Sequence, residues 1–172
     1  MRRTIFILIA LLLSFSATAE LFEPERIYAL YEKELRGARA YVDGRYESAF
    51  ELLSDTASKG MKESQYLLSL MFLKGEGIDK NILIGLGWLG VAIESGDEEW
   101  NNTFNTLYES MNDTQRAMID DKVKNYVAKY GGVVQGVTCG NRTAAGSRSV
   151  ELRCDKSPGN YPIHEIETSL QR

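Results

Sequence analysis

Sliding the chain by 36 residues, the separation of Gly60 from Gly96, lays one helical pattern on the next. Ala57 then falls on Ile93, Leu53 on Leu89, Phe50 on Leu86, Leu68 on Phe104 and Met71 on Leu107. A period of this length holding two short helices describes a unit that buries its apolar face only against neighbouring units. The fold class it predicts is mainly α: a short α-solenoid of antiparallel helix pairs.

The helices themselves are read from apolar stripes between breakers. Tyr46, Ala49, Phe50, Leu53 and Ala57 recur at three- and four-residue steps on a helix that Asp43-Gly44 opens and Gly60 closes. Leu67, Leu68, Met71 and Phe72 repeat the spacing up to Gly75. Trp88, Leu89 and Ala92 face one way before Gly96, and Trp100, Phe104, Leu107 and Met111 follow. Upstream, Ile27, Tyr28, Tyr31, Leu35 and Ala38 form a first helix with Pro24 suited to its first turn. Downstream, Asn112 and Gln115 have capping-box spacing ahead of Val123, Tyr126, Val127 and Tyr130. About six helices result, all within residues 20–130.

The stretch from Gly60 to Gly96, GMKESQYLLSLMFLKGEGIDKNILIGLGWLGVAIESG, resembles the Sel-one-like repeats, relatives of the tetratricopeptide repeat. Gln65 and Leu68 stand at first-helix positions, Phe72 replaces the usual Tyr, and Gly75-Glu76-Gly77-Ile78 matches the Gly-x-Gly-Val turn. Asn81 takes the place of the capping Asp, Trp88 the aromatic position, and Ala92 and Gly96 close the unit. Departures fall at Ser64 and Gly85 for Ala, Ser69 for Gly and Ile93 for Ala. Gly85 weakens its helix by about 1 kcal/mol relative to Ala. The resemblance is strong over this unit, partial over 41–60 and 98–130, and leaves Cys139 onward outside.

The first residues read as an address. Arg2 and Arg3 precede the apolar run Ile5–Leu13, and Ala17-Thr18-Ala19 supplies small residues ahead of Glu20, the pattern of a secretory signal peptide over residues 1–19. The run falls short of the roughly 20 residues that a spanning helix needs, so no membrane span is expected after cleavage. Export makes Cys139 and Cys154 one disulfide rather than two thiols. With 20 basic and 24 acidic residues there is no basic surplus for nucleic acid, and one histidine with two cysteines gives no metal-ligand spacing.

Other motifs yield little chemistry. Gly75-Glu76-Gly77 lacks the strand before it and the Lys-Ser/Thr after it that a phosphate loop requires, and reads as a hairpin turn. Trp88 and Trp100 lie on apolar stripes and read as core. His164, the single imidazole, follows Pro158-Gly159 and Tyr161-Pro162 in a loop or tail, with no nucleophile placed against it. The pairs Glu98-Glu99 and Asp120-Asp121 diverge by about 100° on a helix and read as solvated faces. Asn101, Asn112 and Asn141 each begin an Asn-x-Thr sequon. No catalytic residue, cofactor or metal is expected.

After Tyr130 the pattern changes. Two strands are expected, one in Gly131–Thr138 and one in Ser149–Arg153, tied by the disulfide across a loop at residues 141–147, with Val150, Leu152 and Cys154 on one face. Residues 131–172 thus form a hairpin extension and tail, to which Arg142, Arg148 and Arg153 give a basic bias. The resemblance implies a non-catalytic adaptor or scaffold that binds a protein or peptide, and a periplasmic or secreted location in a bacterium. Lys62, Gln65 and Asn81 on the solenoid, and the three arginines on the hairpin, are the candidate partner-binding residues. Two alternatives stand beside it. One is a cell-wall-active or β-lactam-binding hydrolase, as the resemblance to cysteine-rich exported relatives implies, although residues 20–138 hold no cysteine. The other is glycan or polymer binding through the basic hairpin.

Overall fold

Helix boundaries fall where short polar residues and glycines stand in the sequence. The computed structural model describes residues 23–169 apart from 144, 145 and 147, so the expected signal peptide lies outside the described residues. Six helices follow in order: α1 Glu23–Val42, α2 Tyr46–Ala57, α3 Lys62–Lys74, α4 Ile82–Ala92, α5 Glu98–Glu109 and α6 Asp113–Tyr130. Asn81 caps α4 by accepting from Ile84 N, Asp97 caps α5 through Trp100 N, and Asn112 with Gln115 forms the expected capping box on α6. Gly60, Gly75 and Gly96 end their segments at φ of 87°, 82° and 84°, where a side chain would be strained.

Helices adjacent in sequence pack on one another from α1 to α4, and α4 packs on α6. Ala40, Ala49, Leu53, Leu67 and Met71 form one apolar cluster. Ala57, Leu68, Phe72, Ile84, Trp88, Val91, Tyr126 and Tyr130 form a second, and Leu86, Leu89 and Ile119 a third, flanked by Trp100, Phe104 and Leu107. Each large side chain removed from water in this way contributes about 1.5–3 kcal/mol. Every residue of α4 from Ile84 to Ala92 is buried, as its lack of a polar face demands. Gly87 and Gly90 let α6 approach: a Cβ at Gly90 would lie 2.4 Å from Val123 Cγ2, and one at Gly87 would lie 2.7 Å from Lys122 Cγ.

Beyond α6 the chain departs from the strand expected over 131–138. Gly132–Gln135 forms a short helical turn, α7, because Gly131 N still donates to Val127 O and Gln135 N to Gly131 O. Strand β1, Val137–Thr143, therefore starts later and runs further, and pairs antiparallel with β2, Val150–Lys156. Asn141, Arg142 and Thr143, expected in the loop, are strand residues opposite Leu152, Glu151 and Val150. Cys139 faces Cys154 directly and the two form the expected disulfide. Leu152 and Cys154 share the half-buried face; Val150, at the open end of the hairpin, is 64% exposed. The hairpin is moored to the helices by the Tyr31 hydroxyl, which accepts from Lys156 N at 2.9 Å and donates to Cys154 O at 3.3 Å.

Candidate functional site

Lys62 and Gln65, expected to face a partner, stand in the interior at 3% and 0% exposure. The reason is the first turn of α3, which enters beside the C-terminal ends of α2, α4 and α6, where carbonyls lack helical partners. Gln65 Nε2 donates to Ala57 O at 3.0 Å and Tyr130 O at 2.9 Å. Lys62 Nζ donates to Val91 O at 2.9 Å, Gln65 Oε1 at 3.0 Å and Glu94 Oε2 at 2.8 Å. The same Glu94 oxygen accepts from Gly132 N, so one carboxylate joins the end of α4 to the start of α7. Burial pulls the Lys62 ammonium down from its ordinary value, and the bond and charge of Glu94 oppose that pull. Asn81 spends its side chain on the α4 cap.

The hairpin arginines are exposed, and two have partners on the hairpin itself. Arg142 pairs with Asp155 at 2.6 Å and Arg153 with Glu151 at 3.3 Å; Arg148 lies exposed in the connection. The basic bias of this extension is thus partly offset, across the strands for Arg142 and within β2 for Arg153. Between α1, the hairpin and the start of α5 lies a cavity lined by Glu34, Met61, Glu63, Asp97, Trp100 and Lys156. Ser64 N and Oγ both donate to Glu34 Oε1 at 3.0 Å. Burial raises the Glu34 carboxyl, with the Ser64 bonds pulling the other way. Glu63 is raised as well, by lost hydration first and then by the charges of Glu34 and Asp97. Among the described residues no group of three or more His, Cys, Asp or Glu is arranged to hold a metal ion.

A third surface was not foreseen. Past β2, residues 157–169 carry no regular structure and run back along α6 from its C-terminal end, opposite in direction to the helix. The floor is a stripe at four-residue steps, Lys122, Tyr126 and Tyr130, continued by Gln135. Tyr161 lies against Gly136 and Gly159 with Lys156 Nζ 4.2 Å over its ring. Gln135 Nε2 donates to Pro162 O at 3.0 Å, and Tyr130 Oη donates to Glu165 O at 2.6 Å. Glu167 accepts from Lys122 Nζ at 2.7 Å and Tyr126 Oη at 2.9 Å. Ile166 packs on the second apolar cluster, and His164 meets the Tyr130 ring edge-on at 5.9 Å between centroids.

Burial, followed by the charge and bond of Glu167, raises the Tyr126 phenol well above its ordinary range, so it stays a donor. Lys156 is drawn down to about 8 by lost hydration and by Lys59, while it donates to Lys59 O and Gln135 O.

The chain matches no family model, curated protein or solved structure.

Of the remaining candidates, Trp88 is fully buried against Tyr126 and Tyr130, and Trp100 stacks on Tyr66 at 4.5 Å between centroids. Gly75 and Gly77 form the turn between α3 and α4; a Cβ at Gly77 would strike Tyr46 at 2.7 Å. Leu68, Phe72, Ala92 and Gly60 are buried. Glu98, Glu99, Asp120 and Asp121 are exposed. No helix among the described residues is long and apolar enough to cross a membrane, and the disulfide points to an oxidising compartment. The strap along α6 left one trace in the sequence: the tyrosines of its floor, whose rings belong to an apolar stripe and whose hydroxyls need partners when buried.

Proposed function

We propose that the chain is a non-catalytic interaction module, a short tetratricopeptide-like stack of Sel-one-like helix pairs that holds a protein or peptide partner on its helical surface. The observation that supports this reading best is an extended segment, residues 161–168, held along α6 by groove side chains. A helical face that grips one extended chain through its carbonyls, one apolar side chain and one carboxylate has the chemistry of peptide recognition. The successive packing of α1 through α4 and of α6 on α4 fits stacked hairpins. A periplasmic or secreted location fits the disulfide and the signal-like residues 1–19.

The test is crosslinked capture with the chain as bait from the exported fraction of its host, with crosslinks mapped by mass spectrometry and affinity measured on the purified partner. A partner bound at micromolar affinity or tighter, with crosslinks on α3, α4 or α6, is the expected result. Crosslinks confined to residues 137–156 would transfer the function to the hairpin. Turnover of a cell-wall substrate or a β-lactam by the purified chain would overturn the non-catalytic reading.

A further inference from the structure

We infer that the groove on α6 is a binding site for an extended peptide of another protein, one that carries an aliphatic residue directly followed by a carboxylate, and that the chain's own C-terminal strap occupies it as a stand-in. The inference rests on the interaction-module reading and assigns it a surface and a ligand chemistry.

Three observations carry it. The strap is held as a ligand is held rather than as an element of the fold: among the described residues no backbone-to-backbone hydrogen bond fixes it beyond Ser157, which donates to Gly136 O. Its grip instead comes from side chains of the groove. Tyr130 and Gln135 reach its carbonyls, which any sequence offers, and so set register and direction. Beside the ring contacts of Tyr161 with Lys156 and His164 with Tyr130, two subsites further along α6 read side chains. Ile166 enters the apolar cluster beside Tyr126 and Tyr130, and Glu167 meets the Lys122 ammonium and the Tyr126 hydroxyl. The adjoining strap residues Pro162, Ile163, Glu165 and Thr168 face solvent, Ile163 at 80% exposure. A segment with few buried contacts and no ladder belongs to the low-stability end of a fold, where opening is easy.

The charge pattern selects the partner. Lys122 and Lys129 line the groove, and the strap brings Glu165 and Glu167 to it within an acidic chain. A peptide of like chemistry competes with a tethered strap whose effective concentration is about millimolar, so wild-type chain binds it weakly until the strap is released.

The experiment uses the full chain and a fluorescein-labelled peptide with the sequence of residues 159–169. Ile166→Ala with Glu167→Ala removes both subsite contacts from the strap while leaving the groove intact. The double variant should bind the peptide at least tenfold more tightly than wild type, by fluorescence anisotropy. A peptide carrying the same two alanines should bind neither chain. A variant that retains its helical circular dichroism and cooperative melt yet fails to bind overturns the inference. Should the variant not fold, wild-type chain decides: millimolar peptide should accelerate amide exchange in residues 161–169, and unchanged exchange shows a fixed part of the fold and overturns it. A variant that dimerises by exchanging straps makes the partner a second copy and overturns the assignment to another protein. Failure here, with a captured partner still crosslinked to the helices, removes only this groove and leaves the interaction-module reading standing.

Discussion

Gln65 Nε2 donates to two helix-terminal carbonyls from one position, so Gln65→Leu strands Tyr130 O in the interior and takes an acceptor from Lys62, while Ala57 O keeps its bond from Gly60 N. At about 1–3 kcal/mol for one stranded group, the substitution should lower stability by about 1–3 kcal/mol, read from the urea midpoint at unchanged slope. A loss under about 1 kcal/mol would mean that water reaches this carbonyl. Glu34 gives a prediction in pH. Its folded pKa lies above the unfolded value of 4.5, so the folded chain holds the extra proton between the two. The contribution is complete below the unfolded value and is lost as pH rises through the folded one. Stability should therefore decline as pH rises above 4.5, and Glu34→Gln should flatten that decline, with Glu63 retaining a smaller slope of the same sign. Chemical unfolding across this range checks both chains; equal slopes would refute the assignment. The polar identity of Lys62 and Gln65 was legible in the sequence, but their burial was not. Hydrophilic residues at the start of a helix are ordinarily solvated, and only the meeting of three helix ends at that point turns them inward.

At the scale of elements, α4 tests whether propensity or packing decides. Gly90→Ala gains about 1 kcal/mol of helix propensity, yet its Cβ would sit 2.4 Å from Val123 Cγ2. Overpacking of this kind costs about 1–3 kcal/mol, so the melting temperature should fall, and Val123→Ala added to Gly90→Ala should restore part of it. A rise with Gly90→Ala alone would show that α6 can retreat. The helices, their caps at Asn81 and Asn112, and their glycine stops were readable because they depend on neighbours within four residues. Gly85 looked like a weakness for the same reason. The structure supplies its cause, since a Cβ there would lie 2.7 Å from Leu73 Cγ. The missed element is α7. Gly132–Gln135, with its paired valines, reads in sequence as part of the strand that follows, but its ends are tied to α6 and to Glu94, and such ties are invisible to periodicity.

For the whole molecule, the hairpin and the helices should separate under reduction. The disulfide joins residues 15 apart, a closure worth about 3 kcal/mol in the chain-entropy model, and it acts on an appendage moored chiefly through Tyr31 and Lys156. Reduction should speed amide exchange across residues 137–156 while far-ultraviolet circular dichroism keeps its helical signal. Collapse of that signal would make the hairpin part of the helical core. Tyr31→Phe should loosen the same segment by about 1 kcal/mol, read in the same exchange experiment. The sequence by itself determined the helices, their spacing, the caps and the cysteine pair, because each follows from local geometry or from pairing two residues of one kind. Tertiary structure alone decided that Lys62 and Gln65 serve three helix ends, that Arg142 meets Asp155 across the hairpin, and that residues 161–168 lie along α6. Those outcomes join groups 32 to 65 residues apart in the cases of Lys62 with Glu94 and Gln65 with Tyr130, and no local pattern encodes which carbonyl a distant side chain will meet.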